Sequence, residues 1–329
     1  MFEATRLVFY YAVSPVHMGA GSAIGAIDSP IQREVHTLHP MFAGSGLKGA
    51  LRHHLNRAWP RVANPRNDGA TMPNPLVARI FGPDTGASDY AGALSLSDAQ
   101  VVALPVRSLK GGFAYVTSPL ALARLLRLAA QADIAAAWPA LPRVVEGQAA
   151  VTSANLLDKD ERLVLESFEF KPAKVDGTLK EAAAWLAGHA LPGTAQAFFA
   201  EKIKTDLVLL SDTDFSHFAR HAMVVEPHVR INDESGTADD GGLFYVENLP
   251  PETLMVGLAQ ATLERFKSGG QGRGASELLS AEQVLAAVFD DDRGPEGSSG
   301  MAGALLQIGG DASTGRGLVL MQPAATVQG

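Results

Sequence analysis

The segment HMGAGSAIGAIDSPIQRE, residues 17–34, contains glycines at a spacing that nucleotide-binding loops use. Gly19, Gly21 and Gly25 follow an apolar, strand-like run, and glycines spaced in this way let a backbone approach a pyrophosphate. A dinucleotide fingerprint also requires its first glycine directly after the strand and a helix that begins within the motif. Here five residues separate the strand from Gly19, and Pro30 prevents a helix after Gly25. A dinucleotide-binding site is therefore excluded for this segment.

A second glycine-rich segment, GGDASTGRG at residues 309–317, raises the question of a phosphate site. It lacks the G-K-[S/T] ending of a P-loop, and a strand-like run rather than a helix follows it. Its four glycines let backbone N–H groups approach a polyanion, with Arg316 beside them. The same glycines fit a tight turn between two strands that requires positive φ. The pattern leaves both interpretations open.

Residues 45–58 are predicted to form a helix, which Ser45 caps and Pro60 ends. Apolar residues recur along it at helical spacing. Lys48 and Arg52 lie four residues apart near its N-terminus, where free backbone N–H groups favour an anion. This face fits either a bound phosphate or an ordinary solvated helix surface.

Strands and helices alternate in a β-α-β-β-α-β order at both ends of the chain. Residues 6–13 and the segment ETLMVGLAQATL are predicted strands, and residues 14–44 form a long segment without helical period. SPLALARLLRLAAQADIAAAW and TLKEAAAWLAGHAL are predicted helices, whereas ERLVLESFEFKP alternates like one strand. The chain ends with a strand, a glycine-rich turn and a second strand.

Caps and turn residues predict the remaining boundaries. The segment TDFSHFARHAM is a predicted helix capped by Thr213 or Asp214, and SAEQVLAAVFD is a helix with a capping box that begins at Ser280. Two strand-like arms around residues 232–242 predict a hairpin with a polar tip. Gly- and Ser-rich stretches predict loose loops at 268–275 and 290–303.

Composition and charge favour a globular protein of the cytoplasm. The 329 residues are 47% hydrophobic and include no Cys, and no signal segment or apolar run long enough to span a bilayer is present. The net charge of −8 argues against a generic basic nucleic-acid binder. Residues 1–67, however, contain seven Lys or Arg and only three Asp or Glu. This imbalance fits either a local anion-binding surface or an ordinary uneven charge distribution.

The opening segment belongs to a longer stretch that resembles a known family. SPVHMGAGSAIGAIDSPIQREVHTLHPMFAGSGLKGALR resembles the RAMP superfamily, specifically the backbone subunit of type III-B (Cmr) CRISPR RNA-targeting complexes. The elements D-x-P-I-Q-R-E at residues 28–34 and PVRSLKG-x-FAYVT-x-P at residues 105–119 are its most specific parts. Further matches follow in chain order: LESFEF, LLSDTDFSHF, LFYVENLPPETL and LLQIGGDASTGRG. The resemblance therefore spans most of the chain.

The resemblance implies a single α+β domain with a ferredoxin-like, RNA-recognition-motif-like core, insertions and a protruding thumb hairpin at residues 228–248. Thumb residues of interest are Arg230, Ile231, Asn232 and Tyr245. It also implies that copies of the chain stack into a helical filament along a guide CRISPR RNA. The other expected partners are further type III effector subunits and single-stranded target RNA, and no membrane partner is expected. Each thumb would displace one base from the guide–target duplex.

The resemblance further implies that the loop at residues 14–44 supplies a catalytic carboxylate, Asp28, which cleaves target RNA with Mg²⁺ or Mn²⁺. Without it, Asp28 fits an Asx-turn before Pro30. RNA carries its own nucleophile, the 2′-OH, so one positioned carboxylate can serve as general base or as ligand of a mostly hydrated cation. The alternative is a non-catalytic guide-RNA scaffold. The predicted RNA-binding residues are His17, Arg33, Ser45, Lys48, Arg52, Gly309, Gly310, Thr314, Gly315, Arg316 and Gly317.

Several of these side chains have a second interpretation. His17 fits an acid–base or phosphate-binding role, or a local hydrogen bond at a strand end. Arg33 is predicted to contact phosphate, although pairing near Glu34 is the alternative. His36 and His39 have a spacing that suggests a metal, but loop packing is favoured because no third ligand is near in sequence.

The stretch before LPP departs from the family pattern. The family often has an acidic and an aromatic residue there, and this chain reads Tyr245, Val246, Glu247 and Asn248. Glu247 is therefore only a weak catalytic candidate.

Overall fold

An eleven-stranded mixed sheet forms the centre of the computed structural model, which describes residues 2–21, 27–64, 69–84, 90–136, 138, 140–265 and 278–325. Gly25 and the predicted loop at 268–275 lie outside the described residues. Helices cover both faces of the sheet. The fold is thus a mixed α/β arrangement, consistent with the α+β expectation at this level. Among the described residues, no helix is long and apolar enough to cross a membrane.

Seventeen strands lie within the described ranges. They are β1 (Ala4–Ala12), β2 (Met41–Phe42), β3 (Val62–Ala63), β4 (Thr71–Met72), β5 (Leu94–Leu96), β6 (Ala99–Arg107), β7 (Phe113–Thr117), β8 (Ala149–Val151), β9 (Leu163–Leu165), β10 (Phe168–Phe170), β11 (Ala173–Val175), β12 (Leu207–Leu210), β13 (Val224–Ile231), β14 (Ala238–Asn248), β15 (Leu254–Ala261), β16 (Ala304–Gln307) and β17 (Leu318–Pro323).

Seven α-helices accompany these strands in the described part of the chain. They are α1 (Gly44–Ala58), α2 (Pro75–Phe81), α3 (Pro119–Gln131), α4 (Gly177–Ala190), α5 (Ala197–Asp206), α6 (Asp212–His221) and α7 (Ala281–Phe289).

The large sheet has the strand order β11-β8-β12-β7-β6-β15-β1-β17-β16, with β2 paired to β6 and β5 paired to β15. β1 lies antiparallel between β15 and β17, and Val8 is opposite both Gly257 and Pro323. The first and last parts of the chain therefore pair side by side near the β16 edge of the sheet, and most of the intervening strands lie on the β15 side of β1.

The predicted strand RLVFYYAV is confirmed as β1, and its lack of polar alternation has a structural cause. Val8 and Tyr10 pack into the cluster that contains α1 and α7, whereas Leu7 and Phe9 pack into the cluster that contains α3 and α4. All four side chains are fully buried. A strand with helices on both faces needs apolar residues at every position.

The predicted strand at residues 161–172 and the predicted cap of α6 both differ from the structure. The segment ERLVLESFEFKP forms a hairpin, β9 and β10, because Glu166 adopts a positive φ of 51° at its turn. The cap of α6 is Ser211, whose hydroxyl accepts a hydrogen bond from the Asp214 N–H at 3.1 Å, so Thr213 and Asp214 are not the cap. The capping box at Ser280 is confirmed at the start of α7.

β13 and β14 form a two-stranded hairpin whose ladder is separate from the large sheet. The predicted tip at 232–242 is too long, because β14 already begins at Ala238. Asn232 organises the shorter turn: its side-chain oxygen accepts hydrogen bonds from the N–H groups of Glu234 and Ser235. Strand β14 includes residues 238–242, whose polar and glycine residues gave no strand signal, and Ala238 pairs with Ile231 after a register shift.

Candidate functional site

The segment that carries Asp28 is hydrogen-bonded to the base of the β13–β14 hairpin. Ser29 forms a parallel bridge with Val246: its N–H donates to the Tyr245 carbonyl at 3.1 Å, and its carbonyl accepts from the Glu247 N–H at 2.9 Å. Asp28 is exposed, and its Oδ2 accepts a hydrogen bond from the Tyr245 N–H at 2.7 Å. Oδ1 accepts none from the described residues. One carboxylate oxygen is thus held in place while the other faces solvent.

Glu247 fixes the same segment from the interior. Its side chain is almost fully buried, and its Oε2 accepts a hydrogen bond from the Ile31 N–H at 3.0 Å. Its Oε1 forms an ion pair with Arg33 at 2.5 Å. Glu247 therefore holds the backbone three residues after Asp28 and has no open face toward a substrate. The sequence pattern made Glu247 only a weak catalytic candidate, and these contacts favour an anchoring role for it instead.

Arg33 is enclosed by acceptors from its own chain. Besides Glu247, its guanidinium donates to the carbonyls of Leu38, Ala219 and Arg220 at 2.7, 2.9 and 3.3 Å. Because these partners use its donors, the arrangement favours a structural role over the predicted phosphate contact. Glu34 itself pairs with Arg124, and the contact of Arg33 in the neighbourhood of Glu34 is its hydrogen bond to the Leu38 carbonyl.

His17 lies where the Asp28 segment, the hairpin and the glycine-rich turn meet. Its Nδ1 is 2.7 Å from the Glu247 carbonyl, and an Nδ1–H donor there leaves Nε2 as an acceptor. Its own carbonyl accepts from the Gly310 N–H at 2.8 Å. Added Cβ atoms at Gly19 and Gly310 would come within 2.9 and 3.4 Å of the His17 ring. This crowding fits the local hydrogen-bonding interpretation and leaves Nε2 for the predicted contact.

The glycine-rich turn packs against residues 15–17. The Gly317 N–H donates to the Pro15 carbonyl at 2.8 Å, and the Thr314, Gly315 and Arg316 N–H groups donate within the turn itself. Arg316 forms an ion pair with Glu226 at 2.6 Å. These contacts favour the tight-turn interpretation over a cradle of free N–H groups.

Alanine substitutions at two glycines of this turn distinguish the cost of a positive φ from the cost of a steric clash. Gly315 has φ +81° with open space around it, so Gly315→Ala is expected to cost about 1 kcal/mol of unfolding free energy. Gly317 has φ +84°, and a Cβ there would lie 2.0 Å from the Ile308 carbonyl oxygen. Gly317→Ala is therefore expected to cost about 3 kcal/mol or more. Urea unfolding of the purified chain measures both, and equal losses would contradict the packing argument.

The N-terminus of α1 differs from its prediction. The helix begins at Gly44, with Ala43 at the N-cap and no side-chain cap, so the predicted cap Ser45 is wrong. The Gly44 N–H instead donates to the Asp98 carboxylate at 2.8 Å. A Cβ on Gly44 would lie 2.2 Å from the Leu96 carbonyl oxygen, so glycine allows the helix to start against β5. An acid of this chain thus occupies part of the predicted anion position, and Ser45 is exposed beside it.

Lys48 and Arg52 also have partners within the chain. The Lys48 ammonium donates to the Leu94 carbonyl at 2.7 Å. Its partial burial and the nearby Arg52 lower its pKa. Arg52 donates to the Gly82 carbonyl at 2.9 Å and pairs with Asp84. Both side chains are only partly exposed, so this helix face is neither a free phosphate cradle nor fully solvated.

Neither His36 nor His39 belongs to a metal cluster. His39 is buried edge-on against Phe215, and this burial lowers its pKa to about 4, so its ring is neutral near pH 7. His36 lies 2.9 Å from an Arg124 nitrogen. Within the described ranges, no group of three or more His, Cys, Asp or Glu is arranged to hold a metal ion. The expectation of loop packing is the one the geometry supports.

The four residues predicted on the thumb lie at different places on the hairpin. Ile231 and Arg230 are exposed next to the turn, Asn232 forms the turn, and Tyr245 lies at the base, where its N–H holds Asp28. Other exposed apolar side chains of the hairpin are Val225, Val229, Leu243 and Phe244. The β13–β14 hairpin, with its exposed apolar side chains, therefore lies directly beside the Asp28 carboxylate.

Comparisons with known proteins define the class. The RAMP superfamily model matches residues 9–319, so the chain belongs to the RAMP superfamily, as its sequence motifs predicted. The protein named CRISPR system Cmr endoribonuclease Cmr4, from Pyrococcus furiosus, is 32% identical over 317 residues, which are 95% of this chain and 93% of that protein. Cms endoribonuclease Csm3 of Enterococcus italicus is 31% identical over 103 residues, 30% of this chain and 47% of that protein.

Solved structures agree with this assignment. The crystal structure of oligomeric Cmr4 from Pyrococcus furiosus has a TM-score of 0.65 and 26% identity, and the match covers 98% of this chain and 99% of that chain. A chain of the type III-B Cmr-beta complex bound to cognate target RNA has a TM-score of 0.65 at 17% identity, covering 98% of each chain. The second likeness concerns the fold alone.

Proposed function

We propose that this chain is an RNA-cleaving backbone subunit of a type III-B CRISPR effector. The observation that carries the proposal is an exposed aspartate, Asp28, held by the Tyr245 N–H at the base of the β13–β14 hairpin. The 32% identity to a Cmr endoribonuclease along nearly the whole chain supports the same activity. Its partners would be guide CRISPR RNA, target RNA, further copies of this chain and other type III subunits, in the cytoplasm.

The chemistry of Asp28 follows from its surroundings. A target nucleotide splayed beside the hairpin could bring its 2′-oxygen in line with the adjacent phosphorus, so that the 2′-oxygen attacks and the 5′-oxygen leaves. The open Oδ1 of Asp28 would accept the proton of the 2′-OH, while Tyr245 holds Oδ2 in place. The carboxylate would thus take up the proton of the nucleophile, and a water molecule would return a proton to the leaving 5′-oxygen.

The residues around Asp28 fit a divalent cation only if that cation keeps most of its ligands from water and RNA. Asp28 offers one free oxygen, and the described residues add no second or third protein ligand around it. Mg²⁺ or Mn²⁺ would therefore take its remaining ligands from water and RNA phosphates, as Mg²⁺ commonly does. Such a cation would supply charge stabilisation at the phosphate.

The proposed RNA surface is the exposed edge formed by α1, the glycine-rich turn and the hairpin. Ser45, Lys48, Arg52, Thr314 and Arg316 lie at least partly exposed on these elements. Their ion pairs with Asp84 and Glu226 are partly exposed, so RNA phosphates can compete for the cations. The predicted residues Arg33, Gly309 and Gly317 would act indirectly, by holding the backbone of this edge in place.

A ferredoxin-like core and a thumb are the finer part of the fold proposal. The order β17-β1-β15-β6 with the helices α1 and α7 supports a β-α-β-β-α-β core. The separate β13–β14 ladder, with its exposed apolar residues, supports a thumb that wedges between stacked bases.

Guide-dependent cleavage tests the proposal. The full chain, assembled with its partner subunits, guide RNA and Mg²⁺, is expected to cut a labelled complementary RNA at regular intervals and to leave a non-complementary RNA intact. Removal of the cation with EDTA is expected to stop cleavage. Assembly around the guide without any cut would instead support the non-catalytic scaffold, and absence of guide RNA from the purified complex would contradict both functions.

A further inference from the structure

A groove separate from the Asp28 site is lined by side chains of the kinds that bind RNA. It runs between residues 36–39, α3 and α6, and is here called the basic groove. Two adjoining cavities of about 490 and 390 Å³ share His36, Thr37 and Leu120 and form its length. The two cavities therefore form one continuous groove.

Its cations are less neutralised than those near Asp28. Arg127 and Arg220 are exposed and form no ion pair with any described residue, whereas Arg124 pairs with Glu34. Asp212 is the one carboxylate among the described lining residues of the two cavities, and its Oδ1 already accepts the Leu120 N–H at 2.9 Å. On a chain with a net charge of −8, this groove presents two guanidiniums without a carboxylate partner among the described residues.

Flat rings extend the basic groove along α6. His217 and His221 lie one helical turn apart with ring centroids 4.9 Å apart, and His217 packs edge-on against the exposed Phe168 at 4.8 Å. A third cavity of about 240 Å³ is lined by these three rings and by Glu166, whose carboxylate pairs with Arg107. Rings next to arginines match the alternation of bases and phosphates in a single strand.

The walls of the basic groove are braced from inside the protein. Arg33 donates to Leu38 on one wall and to Ala219 on the other. Arg124 joins α3 to the loop through Glu34. The groove is thus preformed, and its occupant does not have to order it.

We propose that the basic groove binds the phosphodiester backbone of single-stranded RNA, with phosphates at Arg127 and Arg220 and bases against the rings of α6. This inference rests on the proposed function for the kind of ligand, but it concerns a surface distinct from Asp28. The unpaired cations and adjacent rings favour RNA over an acidic protein segment, which would have no use for the stacking surfaces.

The test compares Arg127→Gln/Arg220→Gln with the control Arg143→Gln/Arg293→Gln, which removes two exposed arginines elsewhere. Binding of the full chain to a labelled single-stranded RNA is expected to weaken about tenfold in the groove variant only. The plot of log K against log salt concentration is expected to become less steep, its slope decreasing in magnitude by about 1.4 because two phosphate contacts are lost. Equal affinities for the two variants would overturn the proposal.

Two further measurements separate the alternatives. In the assembled complex, loss of guide RNA from the groove variant identifies the guide as occupant, whereas weaker capture of target by a guide-loaded complex identifies the target. Unchanged RNA affinity with loss of a partner subunit would assign the groove to a protein and overturn the proposal. A wild-type complex that binds RNA without cutting it would contradict the proposed cleavage while leaving the groove result valid.

Photocrosslinking gives an answer that does not depend on a folded variant. RNA carrying 4-thiouridine is expected to crosslink to a peptide that contains residues 212–221 of the wild-type chain. Crosslinks confined to the hairpin and residues 27–34 would overturn the proposal.

Discussion

The Asp28→Asn variant is expected to assemble normally and to cleave target RNA at least about a hundredfold more slowly than the wild type. Asparagine keeps a side-chain oxygen that can accept the Tyr245 N–H, so the segment should stay in place on the hairpin. It loses the negative charge that accepts a proton or attracts a cation. The loss therefore reports chemistry rather than folding.

Single-turnover cleavage by the assembled complex, with guide and Mg²⁺ in excess, measures this effect. Asp133→Asn is the control because Asp133 is exposed and its φ of 53° suits asparagine. The control should cut at the wild-type rate. If Asp28→Asn also does so while its complex is intact, the scaffold function becomes the better account of this chain.

The Glu247→Ala variant is expected to lose about 3–5 kcal/mol of unfolding free energy. The substitution leaves the guanidinium of Arg33 without its buried counter-ion and the Ile31 N–H without its acceptor. Both groups lie where water has little access, so their lost interactions are not replaced. Arg33→Ala should be similarly costly because three carbonyls and Glu247 lose donors.

Urea unfolding near pH 7 checks this prediction, with Arg107→Ala as the control. Arg107 pairs with Glu166 at 2.6 Å, but its side chain is 75% exposed, so its loss should cost less than about 1 kcal/mol. The double variant Arg33→Leu/Glu247→Leu should lose less than the sum of the two alanine variants, since no buried charge remains. Losses that simply add would mean that the two residues act independently.

Local patterns predicted the elements whose signals are contained within a few residues. The capping box at Ser280, the helix that begins after Ser118 and the buried strand of residues 6–13 all appear where the sequence placed them. The family resemblance could likewise be recognised from the sequence, because the D-x-P-I-Q-R-E element is a contiguous motif. Each of these signals depends on neighbours in sequence, which the fold does not rearrange.

The start of α1 was mispredicted because its partner is distant in sequence. Ser45 has the right side chain for a cap, yet Asp98, 54 residues away, takes the Gly44 N–H. The basic groove was missed for a similar reason, although Arg220 between His217 and His221 on one helix was a visible signal. Its other wall comes from residues 36–39 and α3, which the sequence alone did not place beside α6.

By itself, the sequence determined the family, the alternation of strands and helices, and the choice of Asp28 as the residue to examine. Only the tertiary structure decided how that residue is held: by the Tyr245 N–H, 217 positions along the chain, above a buried pair of Arg33 and Glu247. It also decided that most of the predicted phosphate ligands have partners of their own. The physical reason is that hydrogen bonds and ion pairs depend on distance in space, which a one-dimensional pattern does not contain.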